Sequence, residues 1–147
     1  MADRIVIVGA GQAGASLAEA LRSHGHEGPV TLIGEEPAPP YQRPPLSKKY
    51  LLGEMSADRL WLKPGRFYAE NGIVLMTGCA VTAIDRAARQ VALSDGRHLP
   101  FDRLALVTGA APRRLPAAMG GDLPGVHVLR TLADVDALAP SVVEGRH

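Results

Sequence analysis

The sequence predicts an α/β fold: a parallel sheet flanked by helices, joined to a small antiparallel β-meander. Three observations predict it. The apolar, strand-length run Ile5–Val8 leads into Gly9, Gly11 and Gly14, and a helix-forming stretch follows. A second short apolar run, Val30–Ile33, ends in Gly34-Glu35-Glu36. Short β-rich runs broken by turn signals then fill residues 73–108. Strand, glycine turn and helix in that order form a dinucleotide fingerprint, so the first part reads as Rossmann-like.

Each glycine of the fingerprint has its own reason. Gly9 permits a tight turn, Gly11 leaves the backbone open to a pyrophosphate, and Gly14 lets the helix pack closely on the strand. The helix N-terminus adds free N–H groups and a positive dipole end. Glu35 lies 21 positions after Gly14, where a carboxylate accepts hydrogen bonds from an adenosine ribose and disfavours a 2′-phosphate. Glu36 competes for that role, and the alternative reading of Glu35 is a solvated loop carboxylate. FAD and NAD satisfy these features equally.

The remaining elements follow from local signals. A helix spans about Gln12–Ser23, rich in Ala, Leu and Glu, with Gly25 near its end. Glu36–Pro45 holds prolines at 37, 39, 40, 44 and 45, so it is extended loop, and long ordered loops are often functional. Ser47 caps a short helix over Lys48–Leu52 that Gly53 ends. Pro64–Asn71 forms another, with Gly72 just past it. Ile73–Met76, Val81–Asp85 and Gln90–Leu93 read as the meander, with a turn at Ser94-Asp95-Gly96-Arg97. Leu104–Thr108 is continuous and apolar, as in a strand covered on both faces. Residues 110–125 read as loop, Val126–Leu129 as a short strand, and Thr131 as the cap of a last helix over Leu132–Leu138.

Composition excludes several classes. The chain has 147 residues, enough for one domain with a core, and 16 Lys plus Arg against 15 Asp plus Glu give no basic field for nucleic acid. No apolar stretch approaches the roughly 18 residues that span a bilayer, and no signal peptide precedes the first strand, so no membrane association and a cytoplasmic location are expected. Cys79 stands alone, which excludes a dithiol mechanism within these residues and makes it a small core residue. His24, His26, His98, His127 and His147 lack metal-ligand spacing; His24 and His26 are expected to face solvent.

The segment Gln42-Arg43-Pro44-Pro45-Leu46-Ser47-Lys48 adds a more specific signal. With the glycine fingerprint, Leu93-Ser-Asp-Gly96, Phe101-Asp-Arg-Leu104, Thr108-Gly109 with Pro112-Arg113, and Leu129-Arg-Thr-Leu132, it resembles the FAD-dependent, NADH-oxidising ferredoxin reductases of bacterial oxygenase systems. These are the putidaredoxin and rhodocoxin reductase type, within the two-dinucleotide-fold flavoproteins. The resemblance covers essentially all 147 residues.

The resemblance implies FAD as cofactor, NADH as reductant of the intact enzyme, and an iron–sulfur ferredoxin serving an oxygenase as electron acceptor. It assigns the pyrophosphate to Gly9, Gly11, Ala13 and Gly14, the ribose to Glu35 and the adenine to the backbone around Val81. Thr108-Gly109 passes the cofactor, and Arg130 belongs to the same site. Lys48 lies near the flavin ring and is the candidate catalytic residue; a fixed ammonium there favours the negatively charged, hydride-reduced ring. A cation in the first turn of a helix opposes the dipole, which supports a functional over a structural Lys48. Arg43 suits a phosphate or carboxylate. Val107 departs from the usual alanine and adds bulk near the cofactor.

Residues 41–68 carry Arg43, Lys48, Lys49, Arg59, Lys63 and Arg66 against Glu54 and Asp58, either a guide for an acidic ferredoxin or a solvated basic surface. The resemblance further implies that residues 1–147 are the N-terminal segment of a discontinuous FAD-binding domain. An NADH-binding domain with its own fingerprint, a second FAD segment and a C-terminal domain are missing, so the Rossmann-like domain is incomplete and NADH turnover by these residues alone is not expected. An apolar face left uncovered would drive self-association. Two alternatives stay open: a reductase of rubredoxin or another small acceptor, and a stand-alone nucleotide-binding module without redox activity. A plain NAD dehydrogenase needs neither the proline loop nor the meander.

Overall fold

The structure, a computed structural model, describes residues 2–142. These form two compact units: residues 2–41 with 61–109, and residues 42–60 with 110–142. In the first, β1 (Ile5–Val8), α1 (Gln12–Ser23) and β2 (Val30–Ile33) occupy the ranges read from the sequence. They are followed by α2 (Gly65–Glu70), β3 (Ile73–Met76), β4 (Val81–Asp85), β5 (Gln90–Leu93), β6 (His98–Pro100) and β7 (Arg103–Leu106). A parallel sheet runs in the order β3-β2-β1-β7, and an antiparallel sheet in the order β4-β5-β6.

Period-two alternation along the parallel strands builds two cores on opposite faces. Ile7, Val30, Leu32 and Ile73 join Ala18 of α1 and Tyr68 of α2 on one face. Val6, Val8 and Ile33 join Cys79, Val91, Leu93 and Phe101 on the other. The first unit is therefore three layers, helices on sheet on meander.

Five expectations change. Ile73–Met76 pairs in parallel with β2 and leaves the meander, whose third strand is His98–Pro100. The last strand is not covered on both faces, since Leu106 is 59% exposed, and among the described residues β7 pairs with β1 alone, at the sheet edge. No strand forms over Val126–Leu129, because no partner supplies a ladder among the described residues. No helix covers Lys48–Leu52; a 3-10 turn over Pro44–Ser47 takes its place, since two prolines preset φ for a helical start. Cys79 is buried as expected, whereas His26 is half-buried instead of facing solvent.

The second unit holds that 3-10 turn, another over Ala57–Leu60, and α3 (Leu132–Leu138). Thr131 caps α3 as expected: its Oγ1 accepts from the Asp134 N–H, while the Asp134 carboxylate accepts from the Thr131 N–H, closing a capping box. Among the described residues no helix is long and apolar enough to cross a membrane.

Candidate functional site

Parallel strands end at the same sheet edge, so the turns that follow β1, β2 and β7 gather there. Backbone bonds continue the ladder past the strand ends, from Gly9 N–H to Ile33 O at 2.8 Å and from Val107 N–H to Val8 O at 2.9 Å. The order β3-β2-β1-β7 places successive crossovers on opposite sides of β1. The crevice outside the carboxyl ends of β1 and β7 is thus a topological switch point.

The three glycines act differently. Gly9 has φ +116°, and a Cβ there would stand 2.2 Å from Val107 O. At Gly14 a Cβ would meet Gly9 O at 2.0 Å and Leu32 Cδ1 at 2.9 Å. Both are closed by packing, whereas a Cβ on Gly11 would meet nothing within 4 Å. Gly11 is the N-cap of α1, in extended conformation, and no side chain caps the helix. The first-turn N–H groups beside exposed Ala13 thus face open space, a built cradle for an anion.

Tertiary contacts separate the two acids after β2. The Glu36 carboxylate accepts from Tyr41 Oη at 2.5 Å, and Tyr41 is buried. Glu35 is exposed at the strand end, with no described residue bonded to its carboxylate. Val81 opens β4, the outer strand of the meander sheet. The preceding residues are tied to the end of β2 by Gly78 N–H to Glu36 O and Cys79 N–H to Gly34 O. Thr108 and Gly109 are exposed just past β7. Val107 packs against the helix-side core, so its extra bulk goes into that core. Eight of the candidates, Gly9, Gly11, Ala13, Gly14, Glu35, Val81, Thr108 and Gly109, belong to the first unit.

Arg43, Lys48 and Arg130 belong to the second. Arg43 Nη1 donates to Arg130 O at 2.5 Å, so part of its guanidinium holds backbone. Lys48 is exposed and follows the 3-10 turn as its C-cap. The dipole argument made for it from sequence therefore does not apply. Tyr50 Oη donates to Asp136 Oδ1 at 2.8 Å. Partial burial, then that bond, raises the Tyr50 phenol above its ordinary range. The six cations of residues 41–68 do not form one free patch: Lys63 Nζ lies 2.5 Å from Glu19 Oε1, and Arg66 Nε lies 3.7 Å from Glu70 Oε1. Among the described residues no group of three His, Cys, Asp or Glu is arranged to hold a metal.

Residues 3–146 match the sequence profile of the pyridine nucleotide-disulphide oxidoreductases. The chain belongs to that family. Within this oxidoreductase family it is 47% identical, over 98% of its length and 35% of the relative's, to the ferredoxin–NAD(+) reductase component of a p-cumate 2,3-dioxygenase system from Pseudomonas putida. It is 41% identical to a rubredoxin–NAD(+) reductase from Pseudomonas putida, over 95% of this chain and 36% of that one. The solved covalent complex of putidaredoxin reductase with putidaredoxin contains a chain of the same fold. The TM-score is 0.85 at 43% identity, covering 95% of this chain and 34% of that one. The chain thus spans about a third of the length of these relatives.

Sequence reasoning missed three residues that shape the site. Tyr41 selects between Glu35 and Glu36. At Gly34 a Cβ would stand 2.5 Å from Ala10 Cβ, so its smallness keeps the two strand-end turns together. Asp136 holds Tyr50. Only Gly34 had a readable signal, a glycine directly after an apolar strand.

Proposed function

We propose that this chain is the FAD-binding part of a reductase that takes electrons from NADH and passes them to an iron–sulfur ferredoxin of an oxygenase system. The observation that carries this reading is the first-unit edge. An uncapped α1 N-terminus with open space at Gly11 stands beside an exposed Glu35, at the carboxyl ends of parallel strands. This donor set fits a dinucleotide with an unphosphorylated adenosine ribose. The family membership and the dioxygenase-system relative support the redox role.

In this reading the N–H groups around Gly9, Gly11, Ala13 and Gly14 hold the pyrophosphate, and Glu35 accepts from the ribose hydroxyls. The Val81 segment borders the adenine, and Thr108-Gly109 lets the cofactor pass close to backbone. In the same reading Arg43, Lys48 and Arg130 also serve the cofactor, and a Lys48 ammonium at the ring would offset its negative charge. When bound, FAD supplies hydride acceptance and electron donation. Residues 1–147 correspond to the N-terminal segment of a discontinuous FAD domain, and the location is cytoplasmic. The rubredoxin reductase relative favours a second reading in which a rubredoxin accepts the electrons.

The test is a visible absorption spectrum after the chain is mixed with FAD and free ligand is removed by gel filtration. A flavin band that travels with the protein supports the reading. A colourless protein overturns FAD binding by these residues.

A further inference from the structure

Lys48 needs a fixed backbone if its charge is to act at one place, because a flexible four-carbon stem positions its ammonium only as well as the backbone beneath it is held. Residues 48–55 form no helix and no strand, and their backbone N–H bonds are all local: Lys48 and Tyr50 to Pro45 O, Leu52 to Lys48 O, Gly53 to Tyr50 O, and Glu54 and Met55 to Lys49 O. Two anchors flank Lys48, each two residues away. Before it lies Leu46, 1% exposed, in the 3-10 turn that packs against α3. After it lies Tyr50, bonded to Asp136 of α3. The segment before α3 also receives Arg43 through the Arg130 carbonyl. Residues 130–136 therefore hold Arg43 directly and the Lys48 turn through Tyr50.

We infer that Asp136, acting through Tyr50, is a positioning residue for Lys48. The inference rests on the proposed role of Lys48 at a flavin and deepens it. Asp136 touches no reacting atom in this reading. It sets where the ammonium stands by holding the turn that carries it.

Two measurements on the 147-residue chain loaded with FAD test this. The first is the midpoint potential of the bound flavin. Lys48→Ala should lower it, and Tyr50→Phe and Asp136→Ala should lower it in the same direction by less. Asp136→Asn, which keeps an acceptor oxygen, should restore it. Tyr50→Phe should add nothing in a Lys48→Ala background, because its effect runs through Lys48. A wild-type potential in Tyr50→Phe, or a further drop on top of Lys48→Ala, overturns the inference. A merely structural bond gives one of those two results.

The second measurement is amide exchange at Leu52 and Gly53 without cofactor. It should quicken roughly tenfold or more in Tyr50→Phe, as for loss of one hydrogen bond to a charged acceptor. Unchanged exchange overturns the anchor itself. An unshifted potential in Lys48→Ala, or failure to take up FAD, sinks the functional reading and the inference with it. The exchange result then shows whether the anchor nevertheless exists.

Discussion

At the residue scale, the glycine fingerprint divides into structural and functional members. Gly9→Ala combines a φ of +116° with a 2.2 Å approach to Val107 O. It should cost about 3 kcal/mol, read from the urea midpoint. Gly11→Ala meets nothing within 4 Å. Its stability should stay within about 0.5 kcal/mol of wild type while FAD affinity falls roughly tenfold in a fluorescence titration. If Gly11→Ala destabilised the fold as Gly9→Ala does, the open cradle would be wrong. The acids make a similar pair. Glu35→Ala should weaken FAD binding roughly tenfold at unchanged stability. Glu36→Ala should lower the melting temperature through loss of its bond to Tyr41. The spacing from Gly14 made both acids candidates. Only the tyrosine five residues on, folded back onto Glu36, separates them.

At the element scale, local signals placed β1, α1 and β2, because an apolar run, a helix-favouring composition and glycine stops act within a few residues. The capping box of α3 is equally local. Thr131→Ala should cost about 1 kcal/mol by urea unfolding. Pairing is not local. Ile73–Met76 carries the same β-rich composition as the meander strands, and nothing in it says that β2 is its neighbour. β7 reads as a buried strand from composition, and its edge position leaves Leu106 exposed.

The start of β7 is tied to the start of β1 by Arg4, whose backbone N–H and guanidinium both bond Asp102. The Arg4 side chain, then its backbone N–H, holds the Asp102 carboxyl at about 2, below its ordinary 3.8. The unfolded chain therefore binds more protons between these values. This contribution is full above about pH 4 and is lost as pH falls toward 2. Urea midpoints should decline over that window, and Asp102→Asn should flatten the decline in part, since Asp95 beside Arg97 is also held at about 2. An unchanged slope in Asp102→Asn would show that the tie contributes nothing.

At the scale of the whole molecule, each unit leaves apolar side chains uncovered. Leu106 and Val74 are exposed in the first, and Leu115, Met119 and Leu123 in the second. Light scattering should show concentration-dependent association that persists in high salt, since apolar contacts are not screened. Only monomer at high concentration would contradict it. The chain carries one glycine fingerprint, at residues 9–14. With FAD bound it should therefore hold one dinucleotide and show no NADH oxidation by absorbance, and steady turnover would contradict that.

The sequence by itself determined the class of fold, the dinucleotide turn and the bounds of most elements. These depend on periodicity, on glycine and proline geometry and on caps, all of which act over a few residues. Motif resemblance also led to the two-dinucleotide-fold oxidoreductases, and the chain belongs to the pyridine nucleotide-disulphide oxidoreductase family. The tertiary structure decided which acid stays free, which strand lies at the edge, where the Lys48 turn sits relative to its helical start, and what holds that turn. Each of those rests on a contact between residues far apart in the chain, or on a neighbour that is absent, and spacing along a sequence encodes neither.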